Sequence, residues 1–199
     1  MNKAKLRIIV AGQIPPPVGG QNLMIEQILR ELQSFPNLTC EHLPFYFTPS
    51  FRESRRLKFY KILELFLVIH RLIMLRLQGN IDLILYPVGG SHLVPLLRDV
   101  FLLPWMLLLS RKMVLQFHAA GAAKMFQNHY RIFLPVIRFL YKKAAAAVVM
   151  TDYNKRDPEF FGIQPVFVLP HQLRDEYQPS YVSRRRETVN ILSLGHICP

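Results

Sequence analysis

The sequence predicts an α/β fold with a doubly wound, Rossmann-like parallel sheet, on three observations. Short β-branched apolar runs alternate along the chain with longer stretches of helical periodicity. Each run is almost continuously apolar, as in strands buried on both faces. The first run leads into a proline- and glycine-rich loop that opens onto a helix. Strands alternating with helices imply right-handed crossovers and a parallel sheet covered on both sides.

The first strand is read at residues 6–11 (LRIIVA), ending at Gly12. Pro15, Pro16 and Pro17 exclude helix from the loop that follows, and Gly19 and Gly20 permit positive φ and close backbone approach. Residues 21–33 then place Leu23, Ile25, Ile28, Leu29 and Leu32 at near-helical spacing before Pro36. Further strands are expected at 38–43, 81–86, 112–117, 145–150 and 166–169. Helices are expected at 53–78, at 92–109 with a bend or break at Pro95 and Pro104, and at 129–143. Ligands in open α/β sheets bind beyond the carboxyl ends of the strands. The candidate loops are therefore 12–20, 87–91, 118–121, 151–154 and 170–172.

The 199 residues are 51% hydrophobic and 19% charged, enough apolar matter for a core and too much for disorder. Nine glycines and 15 prolines without a period exclude a collagen-like chain. Cys40 and Cys198 are too few for a disulfide framework, so a reduced, cytoplasmic protein is expected. The opening apolar run is shorter than a signal-peptide core. The apolar stretches at 65–69 and 100–110 fall short of the roughly 18 to 20 residues that a membrane span needs.

The glycine pair Gly19–Gly20 lies at the mouth of a helix, where free N–H groups and the positive dipole end favour an anion such as phosphate. The same pair also suits an ordinary tight turn. Neither a Walker loop nor G-x-G-x-x-G with a ribose-binding acid is present. His118 follows the fourth strand and precedes two alanines and Gly121, which leave room around its imidazole; it reads as a functional group or as a strand-end histidine bonded to a neighbouring loop. His171 ends the sixth strand in a similar way. The histidines lack metal-ligand spacing, so no metal and no other cofactor is expected.

The excess of 25 Lys and Arg over 13 Asp and Glu gives a net charge of +12. Arg52, Arg55, Arg56, Lys58 and Lys61 precede strongly apolar turns, a combination that suits an anionic membrane surface or, equally, the solvated end of a docked helix. No nucleic-acid-binding signature occurs, and no nucleic-acid partner is expected.

The motifs PPPVGG at 15–20, QFHAAG at 116–121, VVMTDYN at 148–154, VLPH at 168–171 and NILSLG at 190–195 occur in one order. In that order and spacing, the chain resembles the N-terminal half of the family-four retaining glycosyltransferases, which have the two-domain GT-B fold. The resemblance implies that Gly19 and Gly20, with Gln21 beside them, approach the donor diphosphate and the acceptor. It further implies that His118 contacts the donor sugar as the catalytic-site histidine. Thr151 stands where that family often has serine, and His171 where it often has asparagine. It divides the chain into an acceptor-side domain at 1–176, a connector at 177–188 and, at 189–199, the first strand of a donor-binding domain.

The family's lysine and E-x7-E motif do not occur within the 199 residues. The expectation is therefore half a catalytic cleft, with little turnover unless another polypeptide supplies the donor-binding half. The implied partners are a nucleotide-sugar and a saccharide or lipid-linked acceptor, used in cell-surface glycan or glycolipid synthesis at the inner face of a membrane. Two other classes stay open, a peripheral membrane-binding module without catalysis and a Rossmann enzyme that uses NAD or ATP.

Overall fold

A computed structural model describes residues 5–47, 58–89 and 92–170. The expected connector at 177–188, the strand from 189 onward, His171, Arg52, Arg55 and Arg56 lie outside these residues.

Leu6–Gly12 forms β1, Gly20–Ser34 α1, Leu38–Pro44 β2, Phe59–Leu77 α2 and Ile81–Pro87 β3. Leu93–Leu109 forms α3, Ser110–Phe117 β4, Ala122–Asn128 α4, Leu134–Tyr141 α5, Ala146–Val149 β5, Arg156–Phe160 α6 and Val166–Val168 β6. The six strands are all parallel in the order β2-β1-β3-β4-β5-β6. The fold is α/β, doubly wound and Rossmann-like. Strand order reverses beside β1, whose neighbours are β2 and β3, so loops leaving β1 and β3 diverge and open a crevice there.

The apolar runs are continuous because each strand serves two cores. Ile9 and Ala11 of β1, Ile84 and Tyr86 of β3, and Met113, Leu115 and Phe117 of β4 face the larger core with α2, α3 and α5. The intervening Val10 and Leu85 pack on Ile25 of α1 on the other face. Period-2 alternation thus distributes one apolar string between two helical layers.

The expected helix at 53–78 begins at Phe59, after Lys58 in extended backbone as its N-cap. α3 runs on through Pro104. Pro95 sits in its first turn, where a missing N–H costs no intrahelical bond. The expected helix at 129–143 is a 3-10 turn at Arg131–Phe133 followed by α5, while α4 and α6 are additional.

Candidate functional site

Gly12 ends β1 at φ +139°, and a Cβ there would stand 2.6 Å from Ile25 Cδ1 and 3.2 Å from Pro87 Cγ. Only glycine turns the chain there while α1 stays packed on the sheet. Gln13 Nε2 donates to Pro16 O at 3.1 Å and Asn22 Nδ2 to Pro17 O at 2.8 Å, tying the proline loop to itself and to the first turn of α1. Positive φ, which Gly19 and Gly20 would permit, is found in this loop at Gly12 instead. Gly19 is extended at φ −153° as the N-cap of α1, and Gly20 is its first helical residue. No side chain caps this end and no acid occupies its first turn.

Against it lies a cavity of about 330 Å³. Gly19, Gly20 and Gln21 form one wall, Phe45 and Phe47 a second, Ile62 and Leu65 of α2 a third, and Val94, Leu97 and Arg98 of α3 a fourth. Lys61 also lines it and is only 5% exposed, so it belongs to this cavity and not to an outer basic surface. Among the described residues the lining contains no Asp or Glu. Lys61 and Arg98, the latter ion-paired with Asp99, bring basic side chains to a cavity that is apolar over most of its wall and bounded by a helix N-terminus.

Arg98 is held by a buried network. Its Nη2 donates to Pro87 O at 3.0 Å and to Asp99 Oδ1 at 2.9 Å, and its guanidinium lies 5.3 Å from the Tyr86 ring centroid and 5.8 Å from that of Phe45. Asp99, fully buried, also accepts the hydroxyls of Tyr86 at 2.6 Å and Tyr141 at 2.8 Å and the Gly89 N–H at 2.7 Å. Burial opposes the Arg98 charge, but Tyr86 and Asp99 outweigh it and keep the guanidinium protonated. Burial, reinforced by Asp99, pushes both phenols well above 10, so they remain donors. Gly89 is needed here too, since a Cβ would meet the backbone carbonyl of Pro95 at 2.8 Å.

Beside this cavity a crevice of about 30 Å³ is lined by His118, Ala119, Ala120 and Phe117, and it shares Gln21, Val88 and Gly89 with the larger space. Gly19, Gly20, Gln21 and His118 are thus brought together. Both ring nitrogens of His118 are shielded from solvent, so contact with a ligand requires the imidazole to turn. Two residues earlier, both amide atoms of buried Gln116 lack a hydrogen-bond partner among the described residues. Thr151 stands apart, exposed, at the start of the 3-10 turn Asp152–Lys155, and lines neither space.

Several residues that shape the site carry no local sequence signal. Asp157 of α6 accepts the N–H groups of Gly121, Ala122 and Ala123 at 2.8, 3.3 and 2.9 Å, filling the N-terminus of α4 with a carboxylate. Arg98 and Asp99 read as ordinary polar positions of a helix. No group of His, Cys, Asp and Glu among the described residues could hold a metal ion.

No family model matches the sequence, and no curated protein matches it.

Proposed function

We propose that the chain is the acceptor-side domain of a retaining glycosyltransferase, which transfers a sugar from a nucleotide-sugar to the hydroxyl of a saccharide or lipid-linked acceptor. The observation that carries the reading is the cavity at the strand-order reversal, where a helix N-terminus, Lys61 and the Asp99-paired Arg98 meet largely apolar walls. A phosphate-bearing ligand suits the cationic end, and a sugar or lipid body the apolar remainder. Three of the motifs named above, PPPVGG, QFHAAG and VVMTDYN, fall at the carboxyl ends of β1, β4 and β5, in keeping with the reading.

In such a transfer the acceptor oxygen forms a bond to the anomeric carbon, the bond from that carbon to the diphosphate breaks, and the hydroxyl proton leaves with the diphosphate. In this reading the amides at Gly20 and Gln21 and the Lys61 ammonium stabilise negative charge on the departing phosphate. His118, once turned, meets the sugar. Bound within a cleft closed by a second, donor-holding domain, these groups act on a desolvated ligand.

The test is calorimetric titration of the chain with UDP-glucose, GDP-mannose, NAD and ATP, followed by a transfer assay with and without a donor-binding domain. Sugar nucleotides are expected to bind more tightly than NAD or ATP, and Lys61→Met to weaken them about tenfold, the loss of one charge-assisted hydrogen bond. Preference for NAD or ATP overturns the assignment. Robust transfer by the chain alone overturns the half-cleft mechanism.

A further inference from the structure

The helices of the larger layer are apolar on both sides. On α2, Phe59, Ile62, Leu63, Phe66 and Leu67 recur at intervals of three and one and all are exposed, Phe59 to 83% and Phe66 to 65%. They lie opposite the inward stripe of Lys61, Glu64, Val68 and Leu72. A surface helix ordinarily turns its polar residues outward; α2 buries two of its charges and exposes its phenylalanines. α3 packs beside α2 and exposes Phe101, Trp105 and Leu108, and α5 packs beside α3 and exposes Val136 and Phe139. Monomeric proteins rarely expose apolar patches beyond a few hundred Å² without a binding role.

The charges around these stripes have one sign. Lys58 and Arg76 flank α2, and Arg131, Arg138, Lys142 and Lys143 lie on or beside α5, all exposed. The acids of α2 and α3 are withdrawn: Glu64 is buried and paired with Arg71 at 2.9 Å, and Asp99 is buried and paired with Arg98. Residues 100–151 contain no Asp or Glu. A second copy of the same face brings like charges together with no carboxylate among the described residues of that face to receive them. A bilayer of anionic lipid meets both halves of the surface, taking aromatic and aliphatic side chains at the headgroup boundary and lysines and arginines at the phosphates.

We propose that the outward face of α2, α3 and α5 seats the protein on an anionic membrane surface. The contact is interfacial, because no helix among the described residues is long and apolar enough to cross a membrane. Ile62 belongs both to the outward stripe of α2 and to the cavity lining, so the seated protein holds its cavity beside the lipid.

The chain has a single tryptophan, and it is Trp105 on this face. Mixed with vesicles of phosphatidylglycerol and phosphatidylcholine at low salt, the full chain is expected to co-sediment and to shift its tryptophan emission to the blue. Salt at about 0.5 M and the variant Arg138→Gln/Lys142→Gln/Lys143→Gln are each expected to reduce binding about tenfold or more. The variant Phe66→Glu/Phe101→Glu, at exposed positions and checked for an unchanged melting temperature, is expected to abolish the blue shift. Equal binding to pure phosphatidylcholine overturns the proposal, as does an unmoved emission spectrum or full binding by the phenylalanine variant. A concentration-dependent dimer lost in that variant, without vesicle binding, overturns it in favour of a second copy. The outcome is independent of the titrations with sugar nucleotides.

Discussion

The Tyr86 hydroxyl donates to Asp99 Oδ1 at 2.6 Å, joining the end of β3 to the middle of α3 with both side chains fully buried. Since Asp99 also neutralises Arg98 and orients the Gly89 N–H, it fixes one wall of the cavity from behind. Asp99→Ala strands a buried guanidinium and is expected to cost about 3 to 5 kcal/mol in urea unfolding. Tyr86→Phe removes one hydrogen bond and is expected to cost about 1 to 2 kcal/mol. A loss below about 1 kcal/mol for Asp99→Ala would refute the structural role of the network.

Two glycines separate steric from torsional cost. At Gly121, φ is +99° with nothing within 4 Å of an added Cβ, so Gly121→Ala is expected to cost about 1 to 2 kcal/mol of backbone strain alone. At Gly89 the obstacle is backbone of Pro95, which cannot swing aside. Gly89→Ala is expected to cost more than Gly121→Ala and also to weaken ligand binding in the cavity, which Gly121→Ala leaves nearly unchanged. Parallel melting curves and titrations decide it.

Stability carries a histidine signature on the acid side. Burial lowers the His42 pKa below 6.5, partly countered by its contact with Gly12 O at 2.9 Å. The unfolded chain then binds the proton more readily than the folded one, so the contribution is complete above pH 6.5 and is lost as pH falls from 6.5 through the lower folded value. His42→Gln is expected to flatten the wild-type decline in melting temperature below pH 6.5. An unchanged slope assigns the decline to other groups.

Gln116 offers a gain of stability. Its amide is shielded and unpartnered among the described residues, a state that costs about 1 to 3 kcal/mol. Gln116→Met, close in volume, is expected to raise stability by about 1 kcal/mol. A destabilised Gln116→Met protein places a hydrogen-bond partner on that amide.

The strands were legible because burial on two faces writes itself as uninterrupted Ile, Val and Leu, as at residues 8–10, and the β1 loop because proline and glycine carry their own backbone rules. α4 was not legible. Its seven residues hold too few turns for periodicity, and the carboxylate that steadies it comes from Asp157, 34 residues beyond Ala123. Lys61 shows the same limit from the other side. In sequence it belongs to a basic run with Lys58, yet helical phase turns Lys61 inward beside Glu64 while Lys58 stays outside. The Asp99 network joins residues 13 and 42 positions apart, a distance that no local pattern reports.

The Asp157 carboxylate at the N-terminus of α4 has a consequence for how dissolved anions distribute over the molecule. Covalent attachment gives that carboxylate an effective local concentration of the order of millimolar or more, so any free phosphate arriving there competes with a permanent resident. The N-terminus of α1, uncapped and without an acid in its first turn, sets no such competitor. Of these two helix ends, that of α4 holds a carboxylate of the chain's own, while that of α1 has none in its first turn.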